Sequence, residues 1–131
     1  MRVAVGMTKE RFEEIAQKAF DSLPEQFRNS IENVHIVVEE YPPDELVKHK
    51  RYDRYSLLGL YQGVPLTRRG TWYGVNPTVP DKISLYQRNI EESCSGEDEI
   101  RQAIVEVLFH EIGHYFGMNE AQIRSAMKDY T

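Results

Sequence analysis

The sequence predicts an α+β fold: an amphipathic helix comes first, several short strands follow, and two helices close the chain. Three observations carry that prediction. Apolar residues recur at helical spacing towards both ends, while β-branched or alternating runs bounded by Pro, Gly and Asn lie between them. The length of 131 residues fits one compact domain, 1–131, with no room for a second core. The helices must therefore bury their apolar faces against the sheet they flank.

Residues 8–22 read as the first helix, with Thr8 as cap and Phe12, Ile15, Ala16, Ala19 and Phe20 on one face. Pro24 follows just past its end. Val34 to Glu39 is β-branched, short, and closed by Pro42-Pro43, which predicts a strand. The charged stretch 42–56 is a connection with one short helix near Asp44–Lys48, and Leu57–Gln62 is a second strand ended by Gly63-Val64-Pro65. Residues 66–70 read as an exposed loop, Trp72–Val75 as a short strand, and Asn76-Pro77 as a turn. Lys82–Arg88 is expected as the last strand, with Ile83 and Leu85 on one face and Ser84 and Tyr86 on the other. A long helix then runs from Glu97 to Phe116, with Glu97, Asp98 and Glu99 in the first turn, where acids suit the helix dipole. Gly117 stands at the position of a left-handed C-terminal residue, and a last helix spans Asn119 to Lys128 with Asn119 as cap.

An apolar share of 40% and a charged share of 28% are those of an ordinary globular protein. The net charge of −5 lacks the basic footprint of a nucleic-acid binder and is unsuited to docking on anionic lipid. Cys94 is the single cysteine, which excludes an intramolecular disulfide and a Cys-rich zinc site. Its acidic neighbours disfavour a thiolate, so packing is its expected role. Charges at Lys9, Glu10, Arg11, Glu13 and Glu14 break up any secretory leader. No apolar run approaches the ~18–20 residues that span a bilayer. These features lead to the expectation of a cytoplasmic protein acting without nucleic acid or membrane.

The chemistry is concentrated in the long helix. Ile100, Ile104, Val107, Glu111 and His114 share one face, so a stripe that begins as core ends in carboxylate and imidazole. His110 and His114 stand four apart, about one turn, and both can reach one metal ion. Glu111 lies between them, beside such an ion rather than on it, where a general base belongs. Gly117 can take the positive φ that turns the chain back, which would let Glu120 supply a third ligand. Two imidazoles and a carboxylate suit zinc and leave its fourth position open. Glu120 has another reading, as an acid in the first turn of the last helix. With usage of about 2% for His and about 6% for Glu, His-Glu-x-x-His arises in a chain this long roughly 3 times in 1,000. The flanking Val107, Leu108, Phe109, Ile112 and Phe116 are apolar, unlike an exposed helix that happens to carry two His, and the metal reading prevails. His35 and His49 lie far off in sequence, and spacing alone does not exclude them.

The stretch HEIGHYFGMNEAQI, residues 110–123, resembles the motif His-Glu-x-x-His-x-x-Gly-x-x-Asp of the small bacterial zincin-like proteins called minimal zincins. The resemblance extends to LLGLYQGVPLTRRG, residues 57–70, and VPDKISLYQRNIE, residues 79–91. It implies a small mixed β-sheet packed against the active-site helix, with one zinc per chain on His110, His114 and residue 120, and Glu111 as catalytic base. One departure stands out: the family commonly has Asp where this chain has Glu120, and the extra methylene adds about 1.5 Å of reach.

A zinc-dependent peptidase acting on peptides or flexible protein segments is the expectation that follows. Its substrate would add as a strand to an exposed sheet edge, with Leu57–Gln62 and Trp72–Val75 as candidate edges and Arg68 and Arg69 near the cleft. Tyr115, Tyr86 and Tyr130 are candidate oxyanion donors, though packing is the commoner role of such residues. Met118 and Met127 invite comparison with a methionine turn, but their helical setting favours packing. The alternative is a non-enzymatic, zinc-stabilised module that binds a partner and keeps the motif as structure.

Overall fold

The structure is a computed structural model that describes residues 6–25, 28, 34–49, 52–63 and 81–130. The loop expected over 66–70 with Arg68 and Arg69, the strand at 72–75 and the turn at Asn76-Pro77 lie outside these residues.

Helix α1, Lys9–Asp21, begins where the cap was expected: Thr8 is extended and its side chain accepts from the Arg11 amide. Its face of Phe12, Ile15, Ala16 and Ala19 is buried. Strand β1, Val34–Glu39, leads to the short helix α2, Asp44–His49, and strand β2 covers Gly59–Gln62. Strand β3, Asp81–Tyr86, is central in the order β1-β3-β2, parallel to β1 and antiparallel to β2. The sheet is therefore mixed and the architecture α+β. Ile83 and Leu85 pair in register with Ile36 and Val38 on one side and with Tyr61 and Gly59 on the other. These residues share one face, and Ser84 and Tyr86 share the opposite one, as alternation requires.

The strand expected over Lys82–Arg88 is corrected: it ends at Tyr86, and Gln87–Glu92 forms helix α3. Tertiary hydrogen bonds, invisible to local pattern, explain the switch. Asn89 Nδ2 donates to the carbonyls of Arg54 and Leu57, and Gln87 Nε2 donates to the Met7 carbonyl and to Glu91. Glu91, nearly fully buried, also accepts from the Met7 amide and from Arg88. A helix this short does not persist alone, and α3 is held by what its side chains reach.

Helix α4, Glu97–Tyr115, runs through the middle of the molecule. Ile100, Ile104, Leu108, Phe109 and Ile112 are buried and join the core formed with α1, Ile83 and Leu85. Each such side chain contributes roughly 1.5–3 kcal/mol by leaving water. At its start, the Arg11 guanidinium grips Glu97 through two hydrogen bonds, 2.8 and 3.2 Å, tying α1 to α4. The bond to Arg11 lowers the Glu97 pKa below the ordinary carboxylate value. A depressed carboxylate pKa gives stability that is present above the unfolded value and lost as pH falls through the folded one. Glu97→Gln is therefore expected to be slightly less stable than wild type at neutral pH, with the difference vanishing in acid, as paired urea melts across pH would read.

Helix α5, Glu120–Tyr130, follows directly on the expected cap and runs two residues past the expected end at Lys128. Asn119 caps it: its side chain accepts from the Gln122 amide, and Gln122 in turn accepts from the Asn119 amide with its own side chain. No helix among the described residues is long and apolar enough to cross a membrane.

Candidate metal centre

The C-terminal end of α4 is built to reverse the chain. Gly117 adopts φ 77°, its amide donates to the His114 carbonyl, and the Met118 amide donates to the Gly113 carbonyl. That pair of bonds is the Schellman arrangement, and it needs the left-handed residue that glycine supplies without a Cβ penalty. The turn brings the first residue of α5 back over the last two turns of α4. The bond between His110 Nε2 and Glu120 Oε2 is 2.6 Å, and His114 Nε2 lies 3.6 Å from Glu120 Oε1. The two imidazole rings are tilted neighbours with centroids 5.9 Å apart. The longer Glu120 side chain, where the resemblance leads one to expect Asp, reaches both of them.

Gly113 makes this approach possible. A Cβ at Gly113 would stand 2.5 Å from Ile123 Cγ1, so α4 and α5 touch backbone to side chain there. Gly113 is not among the motif's ligand positions. The signal was a glycine in the middle of a helical pattern, where it costs about 1 kcal/mol against Ala unless packing requires it. Gly113→Ala is expected to destabilise by roughly 1–3 kcal/mol through overpacking and to weaken metal binding by moving α5. Adding Ile123→Ala should return part of that loss, which a double-mutant cycle of urea melts would measure.

Glu111 is held apart from this trio. Its Oε1 accepts from the Tyr61 amide at 2.6 Å. The bond from the Tyr86 amide to the Leu58 carbonyl sets the phase of the β2–β3 ladder. Residues 58, 60 and 62 bond to β3, so Gly59 and Tyr61 turn their amides and carbonyls outward. Among the described residues β2 is an edge strand, and that edge faces α4. Gly59 brings it close, since a Cβ there would lie 2.5 Å from Val107 Cγ1. A glycine inside a strand pattern is a sequence cue for such an approach. Tyr61 itself gave no cue, because its contribution is a backbone amide. Its ring packs edge-on to Tyr115, with centroids 5.6 Å apart, and its hydroxyl donates to Asp81.

The electrostatics separate the two carboxylates. The hydrogen bond from His110 lowers the Glu120 pKa below the usual carboxylate range. Burial raises that of Glu111, against the pull of the Tyr61 amide and then of the nearby His114 and His110. One acid is a ready anion exposed on the surface, and the other is a partly buried carboxyl whose charge is disfavoured.

The donor set suits zinc. Bonds of about 2.0–2.2 Å in tetrahedral array would space the donor atoms roughly 3.3 Å apart, and the separations of 2.6 and 3.6 Å bracket that figure. Glu120 is hydrogen-bonded to His110 and stands 3.6 Å from His114, and no group of three metal-ligating side chains among the described residues is spread as around an ion. His35 lies exposed on β1, at the opposite edge of the sheet from β2, and His49 lines a separate cavity with Glu39 and Glu45. Neither joins the trio. Tyr86 is fully buried on the sheet face away from α4, Tyr115 is 2% exposed, and the Tyr130 side chain lies outside the description. Met118, Met127 and Cys94 pack in or against the core.

A model of the zincin-like metallopeptidases matches residues 31–129, which takes in β1 to all but the last residue of α5 and all five motif positions. The chain belongs to the zincin-like metallopeptidase family. Membership implies zinc peptidase-type chemistry at that coarse level. Among solved structures, a conserved hypothetical protein from T. thermophilus is similar with a TM-score of 0.53 and 21% identity, covering 84% of this chain and 94% of that one. That likeness extends the shared fold to nearly the whole of the other protein. A search of curated proteins gives no match.

Proposed function

We propose that this chain is a zinc-dependent peptidase that hydrolyses peptide bonds, with His110, His114 and Glu120 holding one zinc and Glu111 acting as general base. The observation that carries this reading is the division of labour between two carboxylates. Glu120 bridges the two imidazoles, whereas Glu111 turns away from them to the Tyr61 amide on the edge of β2. A zinc-stabilised partner-binding module has no use for a carboxylate held beside the trio, so Glu111 favours the enzyme.

Zinc, when bound, supplies Lewis acidity that polarises the scissile carbonyl and makes water nucleophilic near neutral pH. The rest is the work of this chain's residues. Glu111 accepts the proton of the attacking water and passes it to the leaving amine, so that it ends the cycle as it began. The Tyr61 amide fixes the orientation of its carboxylate, and burial keeps it basic enough for the transfer. With the Tyr61 amide taken by Glu111, the outward edge of β2 around Gly59 receives the substrate as an added strand, which suits peptides and flexible protein segments rather than folded domains. The setting we propose is the cytoplasm, in keeping with a single, buried cysteine.

The test is digestion of a diverse peptide library followed by mass spectrometry. Zinc-loaded protein should cleave members of it, a chelator should stop the cleavage, and zinc add-back should restore it. Failure of the loaded protein to cleave any peptide would sink the reading.

A further inference from the structure

Next to the reactive groups a cavity of about 280 Å³ opens between β2 and α4. Leu58, Ala103 and Val107 are its apolar lining, His110 and Glu111 line it as well, and Glu106 belongs to the lining one turn before His110. The volume falls just below the ~300–1,000 Å³ of ligand pockets, so it fits one side chain rather than a cofactor. From the reactive end at His110, Glu106 is four residues back along the helix, about 6 Å, which is the length of a Lys or Arg stem. Glu106 is exposed, its hydrogen bond is a long one of 3.5 Å from Gln102, and among the described residues it forms no ion pair. The bland role for an acid here is a solvated helix face, but Glu106 also lines a largely apolar cavity together with His110 and Glu111.

We propose that this cavity selects a Lys or Arg residue of the substrate beside the scissile bond, with the aliphatic stem on Leu58, Ala103 and Val107 and the cation on Glu106. The inference rests on the peptidase reading and names the substrate class for that site. Apolar walls would accept Leu or Met as well, so Glu106 is the specificity-determining group. With zinc bound, the ion offsets the charges of Glu111 and Glu120, so Glu106 supplies the negative charge of this cavity, in a chain of net charge −5. An acidic side chain would meet repulsion in the same place.

The experiment uses matched peptides that differ only in one residue flanking the cleaved bond, Lys, Leu or Glu. Zinc-loaded wild type should rank them Lys, then Leu, then Glu in kcat/KM, and added salt should narrow the spread. Glu106→Lys should lower the Lys-to-Glu ratio on the order of tenfold or more, and Glu106→Gln should give an intermediate ratio. A ratio that does not move in either variant overturns the proposal while leaving the peptidase reading intact. The same peptides are titrated onto Glu111→Gln protein with and without Glu106→Lys. If wild type cleaves nothing, the same rank order in Kd, reversed by Glu106→Lys, upholds the cavity and fails only the peptidase reading. Equal Kd values for the three peptides overturn the cavity as well.

Discussion

Glu111→Gln lowers kcat by about 10²–10⁴, the usual contribution of a positioned general base, and leaves zinc bound. The amide keeps the size of the carboxylate and can still accept from the Tyr61 N–H, but it cannot take a proton from water. The proposed zinc donors are other residues, so metal content should be unchanged. Stability moves the opposite way to activity. Burial raises the Glu111 pKa, so its charge is disfavoured in the folded state once the pH exceeds the ordinary carboxylate value. Metal-free Glu111→Gln is therefore more stable than metal-free wild type at about pH 8, and the gap closes towards about pH 4, where the carboxyl of the unfolded chain is itself protonating. Thermal melts at the two pH values, beside kinetics on a cleaved peptide, read both effects. A gain in stability at the expense of turnover is what a functional buried acid should give.

Glu120→Ala has the second large effect. Losing a donor in direct contact with the ion should weaken zinc binding by more than the ~10–100-fold typical of outer-shell changes. Zinc at 100 times its Kd stabilises the folded state by about 2.7 kcal/mol, worth roughly 10 °C in a domain of this size. At fixed zinc most of that shift should disappear in the variant. Were Glu120 merely an acid in the first turn of α5, its loss would cost about 0.3–1 kcal/mol of dipole interaction and leave zinc affinity as it was. A competition titration with a zinc indicator, run beside a thermal melt, separates the two roles.

Much of this was legible in the sequence because the features concerned are local. The Thr8 cap, the β1 run, the α4 stripe and the positive-φ glycine each follow from neighbours within a few residues, and each stands where expected. The reach of Glu120 to the imidazoles was legible too, through Gly117. What escaped depends on contacts between distant segments. Helix α3 is held by bonds to residues 54, 57 and 7, which no pattern over 87–92 contains. The partner of Glu111 is a backbone amide fifty residues away, and amides carry no residue signature. Gly113 and Gly59 were visible as glycines, but the side chains that require them, Ile123 and Val107, become their neighbours only in the fold. The candidate edge at 72–75 falls outside the described residues, which leaves β2 as the edge on which the account of substrate binding rests.

The central claim is that two imidazoles on α4 and a carboxylate on α5 form one zinc site. Its most direct test is the zinc content of purified wild type and of His110→Ala/His114→Ala, measured by elemental mass spectrometry after dialysis against trace zinc. The account predicts one zinc per chain in wild type and almost none in the double variant. Wild type that retains no zinc, or a double variant that retains as much as wild type, would contradict it.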